Sequence, residues 1–405
     1  MKTPIPRYAL GAALAAALLA GAANAGPSQP RWQIRYKIEL LSDFGGSATS
    51  AASINDVGWI AGQSNRTDDA ASRAVLWRAG KPIKELGTLG GTNSAVLWPA
   101  KNVLGIVSGI AQTNEDDPND EIWSCGYFFP GDDAAGNRCL GFRWQNGKMT
   151  ALDPFPGGTH SFATGTNNLG QTVGWAENDV RDPGCVSPQV LQFRAALWPA
   201  GKSQPRELPP LSGDQVSSAT AINDRGQVIG ISGACSNAVG GLSAKRNVLW
   251  ENGEPENIGD FGGIAWNTPM MINQRGDVVG FANISADVGT KFRPRAFFWT
   301  RSTGIKRLDL LPAHDAAQTG RGQALSINEW RQIVGQSCNS AGGDCRAVIW
   351  RDGVPSDLNA LASSLGTAVL TSANDIDDLG RIAGTASDGG KTLAYKATPY
   401  LSASP

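Results

Sequence analysis

The sequence predicts an all-β protein, a seven-bladed β-propeller of four-stranded blades, and three observations predict it. A phrase of the form Ile-Asn-x-x-Gly-x-Val-x-Gly recurs along the chain, its Asn position falling at Asn55, Asn102, Asn167, Asn223, Asn273 and Asn328, with Asp377 in the last copy. A second phrase follows each of the first six copies and closes on Trp77, Trp144, Trp198, Trp250, Trp299 and Trp350; the last copy has Tyr395 near that place. The 405 residues include 50 Gly and 23 Pro, a density that demands many turns. Units of about 50 residues, each with four short β-rich runs, are the mark of propeller blades. An open solenoid is the architectural alternative.

Taken from the N-terminus, residues 1–25 read as a secretory signal peptide. Lys2 and Arg7 give a basic start, residues 8–20 a short apolar stretch, and Ala23-Asn24-Ala25 a small-residue cleavage signal. Residues 26–405 then form a single domain, expected as a monomer in the periplasm or outside the cell. Residues 35–41 (RYKIELL) look like a fourth run that precedes the first unit, whereas the last unit stops after its third. The N-terminal strand is therefore expected to complete the C-terminal blade and close the ring, which removes exposed strand edges.

Within a unit, Asn followed three residues later by Gly (Asn55 and Gly58, Asn223 and Gly226) suits a tight hairpin between runs 1 and 2. Gly80, Gly147, Gly201, Gly253 and Gly353, each three residues after the framework Trp, mark a second hairpin between runs 3 and 4. Strings such as AVLW and AFFW are apolar on both faces, as strands packed between neighbouring sheets must be. Long, variable segments occur only between runs 2 and 3 and between runs 4 and 1. In a meandering blade both kinds emerge on one face, which is where function is expected.

All six Cys lie in connections of the 2–3 kind. In an exported chain these are disulfides, and loop proximity pairs Cys125 with Cys139, Cys185 with Cys235 and Cys338 with Cys345. The only two His, His160 and His314, fall in 4–1 connections three blades apart. They are candidates for titratable groups lining a central pocket, against the plainer reading of polar loop residues. Trp123, Trp175 and Trp266 stand outside the Trp framework and are candidate ligand-binding rings on the loop face; packing beneath long loops is the competing reading. The insert 113–121 (TNEDDPNDE) groups carboxylates and Asn as a Ca²⁺ loop does, yet lacks the central Gly. A solvated acidic loop is the expectation, with no cofactor and no metal.

The repeated strings also resemble the HAF-repeat family of secreted bacterial proteins, best in LGTLGGT (86–92), SINDVGWIAG (53–62) and RAVLW (73–77). The resemblance covers most of residues 40–398 and implies a propeller-like fold, with no catalytic motif to transfer. Where the family name has His-Ala-Phe, this chain has Arg-Ala, at Arg73, Arg194, Arg295 and Arg346.

Balanced charge, 35 Lys+Arg against 36 Asp+Glu, gives no electrostatic reason for a nucleic-acid or anionic-membrane partner, and two His exclude a three-His zinc centre. No later apolar run is long enough to span a bilayer. Nucleophile-elbow, zincin and P-loop motifs are missing. The sequence therefore points to a non-catalytic binding or scaffold propeller whose disulfide-braced loop face meets a glycan, a peptide or a cell-surface partner. The alternative is a carbohydrate-active enzyme working across the central pocket. As a polysaccharide lyase it would use His160 or His314 as base with Tyr127 as acid; as a glycosidase it would draw on carboxylates among Asp43, Asp153, Asp214, Asp260, Asp309 and Asp315.

Overall fold

The computed structural model describes residues 32–121, 123–129, 136–236, 240–285, 291–315, 319–363 and 365–403. Residues 1–25, read above as a signal peptide, lie outside the described residues. Each middle unit folds as a meander. In one, Ser161–Thr166, Thr172–Arg181, Leu191–Trp198 and Arg206–Leu208 are successive antiparallel neighbours. Among the described residues there are five such four-stranded sheets and one of eight strands. The eight-stranded sheet joins two antiparallel groups through one parallel contact, Ala48 to Thr392. One of these groups is completed by the N-terminal strand Trp32–Leu40, which pairs along its whole length with Lys391–Ala403, from Trp32 opposite Ala403 to Leu40 opposite Tyr395. The pairing expected of residues 35–41 is present.

Burial follows run order. Ser161–Thr166 and Val216–Ile222 are buried at every residue, while the fourth strand Glu254–Asn257 is largely exposed. First strands packed against neighbouring sheets on both sides leave little place for charge, and the fourth strands carry it instead. Framework Trp77, Trp144, Trp198, Trp250, Trp299 and Trp350 are all buried. Four of their indole N–H groups donate to carbonyls of the connection that enters the blade: Trp77 to Ser42, Trp198 to Asp153, Trp250 to Pro209 and Trp350 to Asp309, at 2.6–3.0 Å. The Trp thus fastens each third strand to the segment preceding its own unit.

The second Gly of the repeated phrase has a cause that periodicity does not reveal. First strands carry a bulge, for example between Ala163 and Gly165 and between Ala219 and Ala221. The bulge presses a carbonyl onto the facing residue, so a Cβ on Gly174 would sit 1.9 Å from the Phe162 oxygen and one on Gly230 2.0 Å from the Ser218 oxygen. Only glycine admits that approach.

The phrase's Asn does two things. Its side-chain oxygen accepts from its own turn, as when Asn167 Oδ1 takes the Leu169 and Gln171 amides at 3.1 and 3.0 Å. Its amide nitrogen reaches the next unit's backbone: Asn55 donates to Asn102, Asn167 to Asn223, Asn223 to Asn273, Asn273 to Asn328 and Asn328 to Asp377, all at carbonyl oxygens. Asn102 reaches Thr166 in the same way. In the last copy Asp377 has no N–H to give, and Arg381, which donates from Nε to Asp377 Oδ2 at 2.5 Å, supplies one to the Asp56 carbonyl at 3.0 Å. Lys101 makes a further long-range link, donating to the Ile327 and Ile376 carbonyls and pairing with buried Asp375 at 3.2 Å.

The three disulfides are Cys125–Cys139, Cys185–Cys235 and Cys338–Cys345, the pairing read from loop proximity. No described helix is long and apolar enough to cross a membrane.

Candidate functional site

The long loops of the second and third units meet in a buried cluster of acids around His160. Asp117 and Glu121 come from the insert of the second unit, His160 stands just before strand Ser161–Thr166, Glu177 lies in strand Thr172–Arg181, and Gln189 belongs to the insert of the third unit. His160 is 0 % exposed, and Asp117, Glu121 and Glu177 are buried with it. Its Nε2 lies 3.2 Å from Asp117 Oδ2, and its Nδ1 accepts from the backbone amide of Cys139, in strand Asn137–Gln145, at 3.1 Å.

Each carboxylate is held by backbone or amide donors. Asp117 takes the Asn119 and Glu121 amides at 3.0 and 2.6 Å. Glu121 Oε1 takes the Val190 and Leu191 amides at 2.5 and 2.7 Å and the Gln189 side chain at 3.2 Å. Glu177 Oε2 takes the Thr159 and His160 amides at 3.2 and 2.9 Å, and Gln189 Nε2 also donates to Glu177 Oε1 at 3.1 Å. Glu121 Oε2 is buried and has no hydrogen-bond partner among the described residues.

Burial pushes Glu177 up to about 8, an effect that His160 opposes and Glu121 strengthens. For His160 burial works against the charged ring, but Glu177, Asp117 and Glu121 together raise it above its ordinary value. Asp117 goes the other way: burial opposes its ionisation, and its bonds from His160 and two amides outweigh that and lower it.

This arrangement corrects the expectation of a solvated acidic insert. Glu115 and Asp116 are exposed, but the chain then turns inward and buries Asp117 and Glu121. Glu177 is absent from the residues singled out by motif and spacing. It occupies the place that holds Asn65, Gln112, Gly233, Asn283, Cys338 and Ser387 in the other units, and its being the one charged residue there is the signal that an alignment of the copies offers.

The other sequence-predicted residues separate. His314 is also buried: its Nδ1 is 3.0 Å from Ser337 Oγ and its Nε2 is 3.7 Å from Asp344. Ser, His and Asp are thus neighbours there, yet Ser337 is fully buried, accepts the Leu311 amide, and offers a substrate no nucleophile. Neither His is presented to a polysaccharide, because each is enclosed by its loop. Trp175 is fully buried, stacked on Phe162 at 4.2 Å and edge-on to Trp98 at 5.8 Å, so it packs the core beneath the loops and is unavailable as a ligand shelf. Trp266 is half-buried, held edge-on to Phe292 at 4.9 Å. Trp123 opens the helix Trp123–Phe128, and its side chain lies outside the described residues. Tyr127 is exposed on that helix.

An open surface lies beside the insert. Arg73, Thr92, Gln112, Asn114, Asp116 and Asn137 line a broad polar groove of about 660 Å³ between the first and second units. Arg73 is steadied by Glu85 at 2.7 Å, and buried Gln112 is fixed by donations from the Thr92 and Asn93 amides. Among the side chains free to turn outward are Asn114 and Asp116, both exposed.

No family model matches the chain, and no curated protein sequence matches it. Among solved structures it is similar to the β-propeller domain of the Trilobed protease from Pyrococcus furiosus, described as having an open velcro topology. The identity is 7 %, the match covers 93 % of this chain and 96 % of that one, and the TM-score is 0.47. Trypanosoma rangeli sialidase matches at 10 % identity over 79 % of this chain and 56 % of its own, TM-score 0.39. AofleA from Arthrobotrys oligospora matches at 10 % identity over 95 % and 96 %, TM-score 0.31. Likeness at this level names no ligand for the present chain.

Proposed function

We propose that the protein is an exported, non-catalytic, seven-bladed β-propeller built from HAF-type repeats, and that it binds a glycan along the polar groove between its first and second units. The ring reading is supported by the N-terminal strand on Lys391–Ala403 and by the chain of Asn contacts that Arg381 carries back to Asp56. The export reading is supported by the basic and apolar start with Ala23-Asn24-Ala25, together with three disulfides.

The groove carries the functional reading. Its lining of guanidinium, amide, hydroxyl and carboxylate groups, with glycine backbone at Gly90, Gly91 and Gly136, matches the hydroxyl-rich surface of a sugar chain better than an apolar peptide anchor. A non-catalytic role is supported by the burial of His160 and His314, which leaves the proposed lyase bases out of the groove.

Calorimetric titration of the mature chain with a polysaccharide panel tests the proposal. Arg73→Ala and Asn114→Ala should each weaken binding by roughly tenfold, the scale of one charged or well-placed hydrogen bond. Binding that both substitutions leave unchanged overturns the groove assignment. Release of reducing ends or unsaturated products overturns the non-catalytic one.

A further inference from the structure

We infer that Asp117, Glu121 and His160 form a closed site for one divalent transition-metal ion, of which Zn²⁺ is the type, and that this ion pins the insert of the second unit to the third. One donor atom from each of the three residues lies within 4.8 Å of the others, and all three side chains are buried. Metal–ligand bonds of about 2.1 Å in tetrahedral geometry put ligand atoms about 3.4 Å apart. The 3.2 Å from His160 Nε2 to Asp117 Oδ2 already has that length.

Two further observations point to a cation. The first is Glu121 Oε2, a carboxylate oxygen buried without a hydrogen-bond partner among the described residues although its twin, Oε1, takes three donors. A buried oxygen is costly in that state unless something positive faces it. The second is charge. Asp117, Glu121 and Glu177 find amides and His160 as partners, with no Lys or Arg among the described residues that hold them. Even with Glu177 protonated, Asp117 and Glu121 set two carboxylates against one imidazole, an excess of negative charge that a divalent ion offsets.

The donor set selects the class. A ring nitrogen with two carboxylates suits Zn²⁺ or Mn²⁺, whereas Ca²⁺ takes six to eight oxygens. Enclosure of all three side chains keeps a substrate from the ion, so its role would be to hold the loops together. The loops that it ties are those on which Asp116 reaches the groove, so the ion would fix one wall of that surface; the site itself stands whether or not a glycan binds there.

Ligation has a proton consequence. Because Nδ1 accepts from the Cys139 amide, the neutral ring of the metal-free protein carries its proton on Nε2, facing Asp117. A metal at Nε2 needs that nitrogen's electron pair, so the proton moves to Nδ1 and the Cys139 amide loses its acceptor. Metal binding is therefore expected to speed hydrogen exchange at Cys139 while slowing it in the insert.

The mature chain, stripped with a chelator and dialysed, is assayed for metal content and melting temperature with and without stoichiometric Zn²⁺, and in parallel with Mn²⁺ and with Ca²⁺. One Zn²⁺ per chain is expected, with a rise in melting temperature of about 5 °C or more. Glu121→Gln should abolish the rise and melt, in chelator, no lower than the stripped native protein, because it removes an uncompensated charge. His160→Gln should bind no Zn²⁺. Failure of Zn²⁺ to bind or to raise the melting temperature overturns the inference, as does an undiminished response in Glu121→Gln or a Ca²⁺ response equal to that of Zn²⁺.

Discussion

Asp377 and Arg381 perform together, in the last unit, what a single asparagine performs in the others. Arg381 Nε donates to Asp377 Oδ2 at 2.5 Å, and its terminal nitrogen reaches the Asp56 carbonyl at 3.0 Å, where Asn328 in the preceding unit uses its own amide to reach Asp377 at 3.0 Å. Asp377 Oδ1 still accepts the Leu379 and Arg381 amides of its own turn, as Asn328 Oδ1 accepts those of Trp330 and Gln332. An Asp in place of Asn removes the donor and keeps the acceptor, and an arginine four residues on restores the donor.

That substitution of parts predicts a double-mutant result. Arg381→Gln alone leaves buried Asp377 without its counter-charge and should destabilise by about 3–5 kcal/mol, the cost of breaking a buried ion pair. Arg381→Gln with Asp377→Asn recreates the Asn328 and Gln332 pairing, in which Asn328 Nδ2 donates to Gln332 Oε1 at 2.9 Å. The double variant should recover to within about 1 kcal/mol of the native protein. Denaturant unfolding of the three proteins measures it, and equal loss in single and double variants would refute the equivalence.

Two glycines of the same phrase should respond differently to Ala. Gly226 has φ +75° and open space where a methyl group would stand, so Gly226→Ala meets only the left-handed backbone penalty, about 1–2 kcal/mol. Gly174→Ala drives a methyl to 1.9 Å from the Phe162 carbonyl, against backbone that cannot yield without losing its bulge, and should cost about 3 kcal/mol or more. Melting curves of the two variants, ranked in the opposite order, would show that the bulge is not what excludes a side chain at Gly174.

The His160 cluster makes the metal-free protein sensitive to pH in a defined direction. Glu177, raised from 4.5 to about 8, holds a proton in the folded state that the unfolded chain has released; its stabilisation is complete below 4.5 and is lost as pH rises toward 8. His160, also raised, contributes stability below 6.5 that is lost as pH rises through its folded value. Asp117, lowered from 3.8, acts oppositely only at the acid end, where its contribution disappears as pH falls through its folded value. In chelator, the melting temperature should therefore fall between about pH 5 and pH 8, and Glu177→Gln should flatten that fall. A native profile that is level or rises over this range would contradict the assignment.

What the sequence by itself determined is what repetition encodes. Hairpins at Asn-x-x-Gly, the buried framework Trp and the Cys125–Cys139 and Cys338–Cys345 pairs follow from local spacing, and the N-terminal strand on the last unit and the Cys185–Cys235 pair from the order of the copies, because a unit copied along the chain exposes its own rules. The approximate place of the site was also legible, since spacing puts the inserts and His160 on one face, and they do meet there. Tertiary structure alone decided which loop residues turn inward. Asp117 and Glu121 share a nine-residue string with Glu115 and Asp116, and nothing in its composition says that the chain folds after Asp116 and buries the two later acids. Trp175 could as well have faced solvent, but the rings of Phe162 and Trp98 enclose it. The physical reason is one of range. Turns and strand faces are fixed by neighbours a few residues away, whereas the burial of a carboxylate depends on donors such as the Val190 and Leu191 amides, which only packing of a different unit brings to Glu121.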